Sequence, residues 1–351
     1  MIQTITKTQN IYLSLPETSL EKATSSVEIR CAFTSVLQKL LERQGNNIIT
    51  TPLNPSNSAE FLSTFKTHPS VYQASVSRQL AVDLPPNAEE TLLKDEPKDW
   101  FIKTADYDDE CDRVLQHRDG ELTQLFADVN RYHQILQQHC DRVILLRSPS
   151  YTGYDRQLTS AMQCLGYSPQ QFQFIIVQPL KLYAFHKPSQ QVQPIPDLLP
   201  QELLKAMSLN ELKWHSFHTP LTSVAPLNIS SIGQSKNNNS YDRISQFGLN
   251  CSRLLQETQA ENTIFKVSLE DITWKYSLAT QIVDLLTATP QIIQQSADEL
   301  APHLICKHIE KICESGDRWL NVFDSTPDNC LLLATTHKIL KDLWVNILGL
   351  Q

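Results

Sequence analysis

Glycine is scarce in this sequence, with 8 in 351 residues, and the closest two, Gly153 and Gly166, stand 13 positions apart. Glycine lets backbone approach a phosphate closely, so this spacing leaves no P-loop and no GxGxxG fingerprint. Any nucleotide chemistry would need another device. The 8 cysteines are scattered and none forms a CxxC pair, which points away from zinc knuckles and disulfide scaffolds and toward reduced, buried thiols. No stretch reaches 18 apolar residues, and the polar N-terminus is interrupted by Lys7 and Pro16, so neither a membrane span nor a signal peptide is expected. Excess positive charge is missing too. The formal charge is −8, with a pI near 5.7, unlike a basic nucleic-acid coat, although a local basic patch remains compatible with it. These absences predict a soluble, cytoplasmic protein of two or three domains with no DNA or membrane partner.

The apolar pattern supplies the fold. Ile11, Leu13 and Leu15 alternate as in a strand, and Ile29, Phe33, Val36, Leu37, Leu40 and Leu41 recur at helical spacing up to Gly45. Ile48 and Ile49 begin another strand. Such a β-α-β unit favours a parallel sheet with its ligand crevice at the carboxyl ends of the strands. A second unit follows: a strand from Val143 to Leu146, a helix through Leu158, Ala161, Met162 and Leu165 closed by Gly166, and a strand from Phe172 to Val177. Between the two units, residues 52–110 carry six prolines, among them Pro52, Pro55, Pro85, Pro86 and Pro97, and the acidic run Asp106 to Glu110, the composition of an insertion or a loosely ordered connector. Residues 186–205 hold Pro188, Pro194, Pro196 and Pro200 among glutamines, which is linker composition. Beyond it the pattern is almost wholly helical and ends in the stripe Leu332, Ile339, Leu340, Leu343, Trp344, Ile347 and Leu348. The predicted class is α/β followed by all-α: a split, Rossmann-like domain over 1–185, a linker over 186–205 and a helical bundle over 206–351.

An α/β domain split by an insertion and followed by a helical bundle resembles the class I aminoacyl-tRNA synthetases, and local stretches resemble the arginyl-tRNA synthetases. Leu285 to Pro290, Ala297, and then Pro302, His303 and Leu304 look like that family's DALR anticodon-binding domain, in which a proline-started helix precedes a helix opening on Pro-His. Leu331 to Ala334, Ile339 to Lys341 and Ile347 to Leu350 are similar to its closing helix. In the N-terminal half, Asp119-Gly120, Asp128, Asp141 to Ile144, Gly153-Tyr154, Leu165 to Tyr167 and Val177-Gln178 follow the family's order. The resemblance covers most of residues 11–51 and 117–351.

It implies a catalytic domain that has lost its ATP-handling parts. In the family a HIGH loop holds ATP phosphates through two histidines and a close-packed glycine. The matching stretch here is Ser25, Ser26, Val27 and Glu28, which offers no histidine, no glycine and a repelling carboxylate; a serine helix cap explains it better. The family's adenosine motif, Gly-x-Asp-His-x-Gly-Tyr, survives only as Gly153-Tyr154, with Ser148, Ser150 and Tyr151 where glycine, aspartate and histidine would stand. The mobile KMSKS loop has no counterpart, since Lys181 and Lys187 lack its arrangement. No catalytic residue and no cofactor are expected. His303, Cys306, Glu310 and Cys313 share one helical face, but the neighbouring isoleucines make an ordinary amphipathic helix a better account than a metal site. His215 and His218, beside Trp214 and Phe217, are expected in a packed core.

An anticodon-binding bundle stacks unpaired bases on aromatic or guanidinium faces and supports phosphates with basic residues. The candidates are Lys236, Arg243 and Arg253 as cations, Tyr241 and Phe247 as stacking surfaces, and Lys341 with Trp344 on the last helix, with burial in the core the better expectation for Phe247 and Trp344. The bundle is acidic, with 11 Lys plus Arg against 15 Asp plus Glu over residues 206–351. The expected function is therefore that of a non-catalytic, arginyl-tRNA synthetase-like protein. It would bind the anticodon arm of tRNA, that of tRNA(Arg), and present it to a synthetase or a tRNA-modifying enzyme. Two other readings stay open: a protein-interaction scaffold without RNA, and an active ATP-dependent arginine-tRNA ligase.

Overall fold

The computed structural model describes residues 8–14, 20–50, 58–81, 97–186, 191–194, 199–228, 240–258 and 277–351. The chain divides into two compact units, Met1–Ser14 with Asn46–Ile176, and Leu15–Gly45 with Val177–Gln351.

The first unit is built on a four-stranded, all-parallel sheet in the order β2-β1-β6-β7, made of β1 (Asn10–Ser14), β2 (Asn47–Ile49), β6 (Arg142–Arg147) and β7 (Phe172–Ile176). Parallel strands covered on both faces need continuous apolar runs, and Ile11, Leu13, Val143, Ile144 and Leu145 are fully buried. Helices α5 (Gln124–Gln137) and α6 (Tyr154–Cys164) supply Val129, Tyr132, Ile135, Leu158, Ala161 and Met162 to one continuous core with the sheet. The Thr123 hydroxyl caps α5 by accepting from the Phe126 N–H at 3.2 Å. Gly166, at φ +87°, closes α6.

The proline-rich stretch between the two β-α-β patterns is a folded insertion over its described residues, and the connector alternative is set aside. Helices α3 (Ser58–Lys66) and α4 (Arg78–Ala81) accompany an antiparallel sheet of β3 (Val71–Ala74), β4 (Asp99–Ile102) and β5 (Arg113–Gln116). Among its described acidic residues, Asp106 and Asp112 pair with Arg78, and Asp109 with Arg113. The buried Asp112 carboxylate accepts from Arg78 Nε at 2.5 Å, Arg78 Nη2 at 3.0 Å and Tyr72 OH at 2.8 Å. Burial raises its pKa, but these donors outweigh burial and hold it below the ordinary carboxylate value.

The second unit begins with the segment expected to cross between β1 and β2. It forms two helices, α1 (Ser26–Cys31) and α2 (Ser35–Arg43), interrupted where Thr34 turns its hydroxyl back to the Cys31 carbonyl at 2.6 Å. The stretch expected as linker is also structured in part: β8 (Leu180–His186) pairs antiparallel with β9 (Gln191–Pro194) and parallel with β10 (Ala225–Asn228), and α7 (Pro200–Ala206) follows. Pro194 and Pro226 disguised these strands. Both lie on edge strands of the order β10-β8-β9, where a residue lacking an N–H costs no ladder bond.

The remainder is helical: α8 (Leu209–His218), α9 (Ser240–Glu257), α10 (Ser277–Asp298), α11 (His303–Leu320) and α12 (Pro327–Lys341), the last continued by π-helical turns over Asp342–Ile347. Pro302 caps α11, matching the expected Pro-His helix start, but Pro290 lies inside α10 and does not begin it. Thr289 beside it bonds the Leu285 carbonyl at 3.3 Å and His308 Nε2 at 2.9 Å, fastening the helix where proline withholds its own N–H.

Candidate functional site

In a parallel sheet whose order reverses between β1 and β6, the crevice for a ligand lies at the carboxyl ends of those strands. Arg147 ends β6 there, and its surroundings are occupied. Its Nη2 donates to Tyr132 OH at 3.1 Å, stands 3.7 Å from Asp128 Oδ2, and its guanidinium lies 5.2 Å from the Tyr151 ring. Asp128 in turn accepts from Tyr154 OH at 2.9 Å and Gln124 Nε2 at 3.3 Å. Ser148 and Ser150, at the positions of the adenosine motif, share a hydroxyl–hydroxyl bond of 2.5 Å. Gly153 keeps a positive φ of 95° and starts α6. The turn of the motif is present, while its side chains bond one another.

The stretch matching the HIGH loop is likewise committed. The Ser25 hydroxyl accepts from the Glu28 N–H at 3.3 Å, Ser26 is buried, and the Glu28 carboxylate accepts from the Thr24 N–H at 2.6 Å and its hydroxyl at 3.0 Å. This is the reciprocal logic of a helix cap. Two residues on, Arg30 has a role that sequence did not reveal. Its fully buried guanidinium has no carboxylate partner among the described residues and donates to the carbonyls of Gln178, Ser216, Thr219, Pro220, Leu221 and Ser223. Burial pulls it down to about 10, which leaves it charged at neutral pH.

The helical unit holds a groove of about 450 Å3 between α9 and α12. Three of the expected RNA-binding residues, Tyr241, Lys341 and Trp344, line it together. The Trp344 ring, carried on the π-helical turns, stacks on Tyr241 with centroids 5.4 Å apart and planes at 28°. Behind it the fully buried Trp214 lies 5.3 Å away at 36°, its indole N–H fixed by Ser240 Oγ at 2.9 Å. A graded stack therefore runs from core to opening. Gly248 and the 64% exposed Leu249 form one lip, and His337, four residues before Lys341, lies on the other helix. Burial and the Lys341 charge lower the His337 pKa, so the groove presents one fixed cation beside flat apolar surfaces. Leu249 and His337 were missed in the sequence because their signal is only their helical phase with Tyr241 and Trp344.

The other candidates separate. Phe247 is fully buried, its ring packed onto Gly316 so closely that a Cβ there would fall 2.2 Å from it; it is core and no stacking surface. Arg243 and Arg253 are exposed on α9 outside the groove lining, Arg253 standing 3.9 Å from Glu257. Lys236 lies outside the described residues. On the proposed metal-like face, Cys306 and Cys313 are fully buried thiols, and Glu310 Oε1 lies 2.9 Å from His218 Nε2. Burial and the His218 charge push His215 down to about 4.

Comparison with known proteins places this geometry. Over 220 residues the chain is 24% identical to the arginine-tRNA ligase of Mesoplasma florum, an alignment covering 61% of this chain and 39% of that protein. The chain is similar to arginyl-tRNA synthetases over about three fifths of its length. It spans about two fifths of the length of the curated relatives it matches. A Campylobacter jejuni structure described as an arginyl-tRNA synthetase shares the fold at a TM-score of 0.75 and 13% identity, covering 98% of this chain and 93% of that one. Arginyl-tRNA synthetase from Plasmodium falciparum does so at 0.64 and 11%, covering 100% and 78%. These establish the α/β domain followed by a helical region. No protein-family model matches the chain. No helix among the described residues is long and apolar enough to cross a membrane.

Proposed function

We propose that this chain is a non-catalytic, arginyl-tRNA synthetase-like protein that binds tRNA through its helical unit. In this reading residues 1–185 keep the scaffold of a catalytic domain and residues 206–351 act as a DALR-like domain that takes the anticodon arm of tRNA(Arg). The observation that carries it is the Trp214–Trp344–Tyr241 stack, which opens into a groove beside Lys341. An unpaired base laid against such a face gains about 1–3 kcal/mol, with little dependence on which base it is. The bonded Ser148–Ser150 pair and the Glu28 cap support the absence of adenylate chemistry.

The test is binding of purified tRNA(Arg) and several other tRNAs at low salt. Trp344→Ala should weaken binding about 5- to 100-fold, and Lys341→Gln, at an exposed position, should weaken it less without touching the fold. Equal affinity for every tRNA would remove the tRNA(Arg) assignment, and arginine-dependent pyrophosphate exchange would remove the non-catalytic one. The bundle's acidic balance supports a second reading, a scaffold for protein partners such as a synthetase or a tRNA-modifying enzyme. Recovery of a stable protein partner free of RNA would select it.

A further inference from the structure

A second cleft of about 460 Å3 opens in the helical unit between α2 and α8. Its walls are apolar, made by Phe33, Val36, Phe217 and Leu348, while Lys39 and Lys213 supply its charge. The two ammonium groups converge on one point of backbone. Lys213 Nζ donates to the Gly349 carbonyl at 3.1 Å, and Lys39 Nζ lies 3.3 Å from where a Cβ on Gly349 would stand. No Asp or Glu side chain is among the described residues that line the cleft, although its lining includes Gln351, the last residue of the chain. Two like charges held together repel, and partial burial makes the repulsion harder to screen. The Lys213 ammonium accordingly has its pKa lowered by burial and by the charge of Lys39. Ser35, at the start of α2, adds a hydroxyl to the same lining.

We propose that this cleft is a binding site for a phosphate group, held between Lys39 and Lys213. A phosphate supplies negative charge and enough acceptor oxygens for both ammonium groups and the Ser35 hydroxyl. The site is contiguous with the aromatic groove, because Val345 and Gln351 line both. The source of the phosphate rests on the RNA reading: a nucleotide stacked at Trp344 would have its neighbouring backbone phosphate within this cleft. A free phosphorylated molecule would use the same contacts.

Inorganic phosphate is the first probe, titrated against chloride at matched ionic strength while the thermal transition is followed. Millimolar phosphate should raise the wild-type transition, and Lys39→Gln should abolish the rise, each variant being compared with its own transition in chloride. An equal rise in wild type and Lys39→Gln, or none in either, overturns the site. Purified tRNA(Arg) forms the second arm. Loss of one phosphate contact should make the log–log salt dependence of binding shallower by about 0.7 in Lys39→Gln, while Trp344→Ala weakens binding with its slope intact. Phosphate protection without tRNA binding keeps the cleft, assigns it to a free phosphorylated ligand and removes the RNA reading. Trp344-dependent tRNA binding with no phosphate effect does the reverse.

Discussion

Arg30 shows how much of the helical unit hangs on single side chains. Nothing in the sequence marked its role, yet its guanidinium is the common donor for a whole turn of carbonyls between α8 and β10. No other side chain carries five N–H donors in a planar fork. Arg30→Met should leave those carbonyls buried and unpaired, costing on the order of 3–5 kcal/mol, and Arg30→Lys should recover only part of it. Urea denaturation checks both, and a loss below about 1 kcal/mol for Arg30→Met would mean that water replaces the guanidinium. His215 makes a second prediction at this scale. Its pKa is about 4 in the folded chain against an ordinary 6.5, so between those values the unfolded chain binds more protons and stability falls as pH falls. His215 should thus contribute a loss on the order of 2 kcal/mol between pH 7 and pH 5. In His215→Gln that part of the pH dependence should vanish, and an unchanged slope between the two pH values would refute the assignment.

Among the elements, the contact between α9 and α11 sets two rules against each other. Alanine favours a helix over glycine by about 1 kcal/mol, so Gly316→Ala in the middle of α11 looks stabilising from sequence. The Phe247 ring occupies the space a Cβ would need, and overpacking of this kind costs about 1–3 kcal/mol. Packing should win, leaving Gly316→Ala less stable than wild type in urea. Phe247→Leu should soften the penalty in the double variant, and simple additivity would show that the ring yields without cost. The same contact shows what was legible beforehand. Parallel strands around Ile11 and Val143, the closing turn at Gly166 and the apolar stripe of the last helix follow from period and punctuation alone. Core burial was the better expectation for Phe247, and it is buried, but an aromatic one residue from a glycine on an amphipathic helix carries no mark of the distant Gly316. Strands β9 and β10 were hidden by prolines that only an edge position tolerates. The groove was half legible, since Tyr241, Lys341 and Trp344 announce themselves by type, whereas Trp214 and the π-helical turns that align the stack depend on tertiary packing.

For the whole molecule, an acidic chain of net charge −8 has no long-range attraction for RNA, so binding must come from local surfaces, and the two compact units should respond to ligands separately. A protein of two such units is not expected to unfold in one step. Among the described residues, Trp214, Trp319 and Trp344 belong to the helical unit and Trp100 to the other, so tryptophan fluorescence follows mainly the helical transition and far-UV circular dichroism adds the other. A ligand at 100 times its dissociation constant stabilises the unit it binds by about 2.7 kcal/mol, which for units of this size is roughly 5–10 °C. Purified tRNA(Arg) should therefore raise the fluorescence-detected transition and leave the sheet unit unmoved. Millimolar Mg-ATP should shift neither, because the serines and carboxylates at the nucleotide positions are bonded to their own neighbours. A rise in either transition with Mg-ATP would show that a nucleotide site survives. A rise of the sheet unit with tRNA would place recognition in the α/β scaffold, against the assignment to Trp344 and Tyr241.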